Sequence, residues 1–244
     1  DSTEVDRQIL SVLDDSRFFG PTDWLKYYGI KITNFVLPIL LPNLIKILES
    51  DCPFTIGKKV KETHYLFCLP DNWNGQPLTI KKWQEIYPKT ANSKVFFRDR
   101  MVEDYIWLTS HPCTNSDVAR YKWYLMFEGL PEDSFNKDYS QQMADKINGY
   151  EVPEVIECVP MHFLIYEKNN YFINDGYEDV FGCGVYGRTS TIHHFHDNKP
   201  NHVSVGRFGK KGLYIYSGAT GEYTAVDNKG HACLGMFFFR KLGQ

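Results

Sequence analysis

The chain lacks most of the features that would name a reaction outright. Its six cysteines, at positions 52, 68, 113, 158, 183 and 233, form no Cys-x-x-Cys pair and are spread over 244 residues. A disulfide scaffold is therefore not implied; free thiols are expected, although the even count is compatible with secretion. No stretch reaches about 18 consecutive apolar residues, so no transmembrane helix is expected. The first residues are acidic and polar, which gives no signal-peptide pattern, and Asp1 is not an initiator methionine, so the natural chain is expected to start earlier. Charge of one sign is missing too. The 27 basic and 30 acidic residues leave a formal charge of −3, without a general attraction to nucleic acid or to an anionic membrane. Low-complexity segments, repeats and an obvious linker are also lacking.

What is abundant is aromatic. Phe, Tyr and Trp make up 16% of the chain, with 16 Tyr and 17 Phe. Such a surplus suits a dense core or a recognition surface, since tyrosine offers both a face and a hydroxyl at low entropic cost. With 43% hydrophobic and 23% charged residues, the composition is that of a globular protein able to bury a core.

The N-terminal part reads as helical. Val5, Ile9, Val12 and Leu13 share a stripe within 4–14. Pro21-Thr22 opens a helix that Gly29 ends, and Leu44, Ile45 and Leu48 mark another over 43–49. The period then changes. Val60 to Leu69 reads as one strand, followed by a turn at Asp71-Asn72-Trp73-Asn74-Gly75. Thr79 caps a helix through Trp83 and Ile86 that stops at Pro88. Strands are expected at 95–98, 105–109 and 122–127, then helices over 137–148 and from Pro153 through Phe163, with a kink at Pro160. From Phe181 to Leu242 short β-like runs alternate with glycines. The last of them, Met236 to Arg240, is apolar for long enough to predict one central, doubly covered strand.

This order of elements resembles the C-type-lectin-like fold over roughly residues 95–244, including the branch shared by formylglycine-generating-type enzymes and hypervariable ligand-binding proteins of diversity-generating systems. Most of the chain also resembles a multi-copy bacterial protein family without an assigned activity. That resemblance rests on Phe18-Phe19-Gly20 with Trp24, Cys52-Pro53-Phe54 and Gly57 to His64. It continues through Asn74 to Thr79, Trp123 to Met126, Val205 to Phe208 with Gly212-Leu213, and Arg240-Lys241-Leu242. The Glu-Pro-Asn or Gln-Pro-Asp loop and the Trp-Asn-Asp strand of calcium-dependent sugar-binding lectins are absent, so that activity is not implied.

Four stretches are candidates for chemistry. In His193-His194-Phe195-His196, His194 and His196 would leave an extended strand on one side, as two ligands of a zinc or nickel site, with His202, Asp197 or Cys183 as a third; without a spacing motif such as His-Glu-x-x-His, a solvated loop with ordinary histidines is the simpler reading. Cys183 lies between glycines that allow close substrate approach, and a histidine such as His193 would activate its thiol, whereas a buried lone cysteine is otherwise a small hydrophobe. Gly209-Lys210-Lys211-Gly212 matches a nucleic-acid-clamping loop in letters, but sits between strand runs and reads as a cationic hairpin turn. The segment Tyr214 to His231 carries Tyr214, Tyr216, Tyr223, Thr224, Asp227 and Asn228 among glycine-separated turns, as recognition loops do.

The sequence therefore predicts an α+β protein. Residues 1–92 form a helical region with one strand hairpin, and 93–244 form a lectin-like body in one continuous or two adjoining units. The expected function is a non-catalytic module that presents a tyrosine-rich loop surface to a protein or small-molecule ligand. The alternatives are a cysteine- or metal-dependent enzyme near Cys183 and His193–His196, or an intracellular effector with a host-protein partner. No cofactor, nucleic-acid partner or membrane span is expected, and a cytoplasmic or host-delivered location is favoured over a secreted, disulfide-bonded one.

Overall fold

A computed structural model describes residues 2–32, 40–87, 97, 110–173, 185–194, 200–210, 212–217 and 233–242; elements are numbered among these alone. The chain is α+β. Its N-terminal helices are Ser2–Leu10 (α1), Pro21–Tyr28 (α2) and Leu41–Leu48 (α3). Local chemistry sets their ends. The Asp23 carboxylate accepts the Gly20 N–H at 3.0 Å, Pro21 supplies a preset φ in the first turn, and Gly29 closes α2 at φ 66°, a left-handed cap that glycine adopts without strain.

Val60 to Leu69 is not one strand. Val60–Thr63 (α4) forms a helical turn before the strand His64–Leu69 (β2). The Glu62 carboxylate accepts the Lys59 N–H at 2.7 Å, and this capping contact outweighs the β propensity of the run. The turn expected at residues 71–75 is present as Asn72–Trp73 (β3) and Gln76–Pro77 (β4). Asn74 and Gly75 have φ 51° and 76°, the two positive values that a tight hairpin needs. Ile80–Ile86 (α5) follows, its Thr79 hydroxyl accepting from the Lys82 N–H at 3.2 Å. The strands expected at 95–98 and 105–109 lie outside the described residues, apart from Phe97, which bridges to Leu213.

Among the described residues a first sheet has the order β1-β2-β5-β10, with β1 Phe18–Phe19, β5 Lys122–Phe127 and β10 Phe239–Leu242. Phe18–Phe19 runs parallel to β2, and the other pairs are antiparallel, Leu66 opposite Leu125 and Phe239 opposite Met126. The sheet takes strands from both sides of residue 92. One hydrogen-bonded layer thus joins strands from 1–92 with strands from 93–244.

A second sheet has the order β8-β7-β6-β9: Gly212–Tyr216, Pro200–Gly209, Tyr186–His194 and Leu234–Met236. The apolar run Met236 to Arg240 is the link between the sheets and not a single central strand. Met236 pairs with Arg188 in the second sheet, and Phe239 pairs with Met126 in the first. Phe237 and Phe238, both buried, make the crossing. An apolar run is what such a crossing needs, because Met236 to Phe239 are all buried.

Pro112–Asn115 (α6) and Tyr139–Ala144 (α7) are short. The helix expected over 137–148 is confined to α7, whose start is fixed by a reciprocal Asp138–Gln141 capping box. The long helix Val155–Asn169 (α8) is buried at every position from Val155 to Ile165 and runs through Pro160 as one element. Buried on all sides over those eleven positions, with Glu157 and His162 as its polar members, it is a core helix. Phe163 stacks on Tyr87 at 4.2 Å and meets Phe208 of the second sheet edge-on at 5.6 Å. On the side of the first sheet, Tyr124 donates to the Glu157 carboxylate at 2.5 Å. The helix thus ties both sheets and the N-terminal aromatic cluster into one core.

A charged cleft between a short helix and the second sheet

Cys183, His196, Asp197, Tyr223, Thr224, Asp227 and Asn228 lie outside the described residues. The remaining candidates are not brought together as the sequence suggested. Tyr214 is 3% exposed, in a strand and not in a surface turn; Tyr216 is half-buried. Tyr186 faces Gly206, and Gly206 faces Tyr214 in the next strand. A side chain at Gly206 would begin 2.3 Å from the Val185 carbonyl oxygen, so glycine is what lets these strands approach; the Tyr186 and Tyr214 rings meet at 5.7 Å, with Tyr216 stacked 5.7 Å from Tyr214. These rings serve cross-strand packing. Gly209 and Gly212 pair across the end of the β7–β8 hairpin, which is the turn expected from that motif.

The histidines also separate. The His202 ring lies flat on Tyr139, with centroids 3.4 Å apart. His193 and His194 are consecutive on the strand Tyr186–His194 and line one opening, away from His202 on Tyr139. Among the described residues no group of three His, Cys, Asp or Glu side chains is placed to hold a metal ion. Cys52, Cys68, Cys113 and Cys158 are buried free thiols, and burial pushes Cys113 up to about 12 and Cys68 and Cys158 well above the usual range, which disfavours the reactive thiolate in those three.

His193 does line a cleft of about 540 Å³, with His111, His194, Asp117 and Glu154. The His111 ring caps α6, its Nδ1 accepting from the Cys113 N–H at 3.1 Å. It also hydrogen-bonds the backbone of Ile192, so it pins α6 to the sheet. Burial, then His111 and His194, lowers His193 to about 4; its Nδ1 lies 3.0 Å from the hydroxyl of buried Ser217. The rings of His111 and His193 meet edge-to-face at 5.1 Å. These two histidines form a neutral wall.

A second cavity of about 360 Å³ shares Asp117 and Glu154 with the first and adds Arg120, Lys122, Glu157 and Lys241. Glu157 is already committed: it accepts from Tyr124 and from the Glu154 N–H at 2.8 Å, with Lys241 at 3.9 Å. Lys241 is held by Glu151 at 2.8 Å. Arg120, Lys122, Asp117 and Glu154 make no ion pair among the described residues. Partial burial, followed by Glu157 and Asp117, holds the Glu154 carboxyl above its ordinary range. A cation arriving there would relieve that unfavourable charge. Val118 and Ile192, 40% and 41% exposed, add an apolar surface on either side.

Comparison with protein-family models, with curated proteins and with solved structures finds no match to this chain. Of the cleft residues, His193 and His194 stand out in the sequence. His111 had one local signal, its position before Pro112 at a helix start; nothing local ties Asp117, Arg120, Lys122 and Glu154 to one another.

Proposed function

We propose that the chain is a binding module whose two joined cavities take a zwitterionic ligand of amino-acid or short-peptide size with an apolar side chain. One observation carries the reading: two cations, Arg120 and Lys122, and two carboxylates, Asp117 and Glu154, line one cleft and make no ion pair among the described residues. A ligand carboxylate would be met by the basic pair, best by the Arg120 fork. Its ammonium would be met by Asp117 and Glu154, and its side chain by Val118 or Ile192. The neutral histidine wall adds hydrogen-bonding capacity without charge. This reading keeps the expected binding role and moves its surface away from the tyrosine-rich segment. The test is a thermal-shift screen of free amino acids and dipeptides. Apolar members should raise the melting temperature of the native protein and fail to do so for Asp117→Asn/Glu154→Gln. A screen without a single shift, or equal shifts in the variant, would overturn it.

A second reading, an enzyme of the serine-hydrolase kind, is favoured by the 3.0 Å contact between His193 and Ser217. A neutral imidazole beside a hydroxyl is the pairing that activates a nucleophile. A fluorophosphonate probe should then label the native protein and not Ser217→Ala. No labelling of either rejects this reading and leaves the hydroxyl as the partner of a partly buried ring.

A further inference from the structure

A groove separate from the cleft runs between the loop 51–59 and the segment 127–147, with a volume of about 780 Å³. None of its lining residues is shared with the cleft. Its floor is aromatic. Phe54 lies 4.8 Å from Phe127 and 5.4 Å from Phe238, ring centroid to centroid. At one edge Ile56 is fully exposed, on a loop closed by the Asp51–Lys59 bridge, by Cys52 N–H to Lys58 carbonyl at 2.8 Å, and by Gly57 at φ 77°. The loop holds an isoleucine out into solvent beside half-buried Phe54, above the largely covered rings of Phe127 and Phe238; an exposed apolar side chain next to such a floor is a feature of interaction sites.

The rim is acidic. Glu128, Glu132, Asp133 and Asp145 line the groove against one cation, Lys137. Lys137 is bound to Asp145 at 2.6 Å and Arg17 to Glu128 at 2.6 Å. Glu132 and Asp133 are exposed and have no cationic partner among the described residues. An apolar floor beside Glu132 and Asp133, which no cation neutralises among the described residues, complements a segment that is apolar in the middle and basic at its flanks. It repels phosphates, so nucleic acid and anionic lipid are poor occupants.

We infer that this groove docks a partner-protein segment in which lysine or arginine flanks an aromatic or aliphatic anchor. The anchor sits on Phe54, Phe127 and Phe238 beside Ile56, and the basic flanks reach Glu132 and Asp133. This interaction goes beyond the cleft and does not depend on what the cleft takes.

The test is selection of a random-peptide display library on the full chain. Enriched peptides should pair Lys or Arg with Trp, Phe, Leu or Ile. A synthetic peptide of the recovered sequence should bind about tenfold or more weakly to Ile56→Ser/Glu132→Lys/Asp133→Lys, whose three sites are exposed, and equally well to Arg120→Ala/Lys122→Ala. Its affinity for the native chain should fall as salt rises from roughly 0.05 to 0.3 M. If the triple variant misfolds, Ile56→Ser and Glu132→Gln/Asp133→Asn make the same comparison. No enrichment, recovered peptides without basic residues, or undiminished binding to the groove variants would overturn the inference. Loss of binding in Arg120→Ala/Lys122→Ala alone would also overturn it, by placing the peptide in the cleft.

Discussion

The ring of Phe237 fills the space where a side chain on Gly187 would begin. A β-carbon at position 187 would lie 2.3 Å from Phe237 Cε2 and within 2.7 Å of two further ring atoms. Phe237 stands where the chain leaves the second sheet for the first, and its ring also meets buried His162 edge-on at 5.7 Å. The crossing is therefore locked by a glycine on one strand and a phenylalanine on the link. Gly187→Ala should destabilise the fold by about 1–3 kcal/mol through overpacking, and Phe237→Ala by about 3–5 kcal/mol through the cavity it leaves. Urea unfolding measures both; an unchanged midpoint for Gly187→Ala would show that the ring can move aside.

Buried histidines make stability fall in acid. Burial lowers His64 to about 3, with Arg17 and Arg240 adding to it, and burial lowers His162 to about 4. His64 is held between the Thr63 hydroxyl at 3.0 Å and the Tyr150 hydroxyl at 2.9 Å. His162 Nδ1 hydrogen-bonds the Cys158 carbonyl at 2.9 Å. Both folded values lie below the unfolded value of about 6.5, so the unfolded chain binds more protons between them. The stabilisation is present above pH 6.5 and is lost as pH falls toward the folded values. The melting temperature should drop between pH 6.5 and 4, and His162→Leu should flatten part of that drop. A parallel profile for the variant would place the acid sensitivity elsewhere.

Glu157 is a buried carboxylate whose partners come from three elements: Tyr124, the Glu154 backbone and Lys241. Tyr124→Phe removes one donor and should cost about 1–3 kcal/mol, since it leaves an acceptor short of a partner in the core. Glu157→Gln should cost a similar amount. Additive losses in the double variant would show that the two side chains act separately; a shared loss is expected.

Tyr214 and Tyr216 should behave differently despite their ring contact. Tyr214→Ser empties a buried site and should cost about 3–5 kcal/mol, whereas half-buried Tyr216→Ser should cost less. Equal losses would contradict the burial difference between the two strand positions.

The elements that were legible in the sequence carry their own punctuation: Gly29 after α2, Thr79 before α5, Asn74-Gly75 in the hairpin, and the run Lys122–Phe127. Non-local pairing was not legible. An apolar run such as Met236 to Arg240 reads alike as one central strand or as a link between sheets, because both bury every residue. Capping at Glu62 and Asp138 redirected two runs whose periodicity alone gave a longer strand and a longer helix. The cleft shows the same limit. His193 stood out in the sequence, but Arg120, Lys122, Asp117 and Glu154 each look like ordinary surface charges until α6 and the start of α8 bring them to one opening.

The most direct measurement of the cleft's role is calorimetric titration with the amino acid or dipeptide that gives the largest thermal shift, beside its N-acetylated and its C-amidated forms. The zwitterion should bind saturably, each blocked form at least about tenfold more weakly, and the free ligand with a comparable loss in Arg120→Ala/Lys122→Ala. Equal affinity for all three forms, or binding that survives in that variant, would contradict that role.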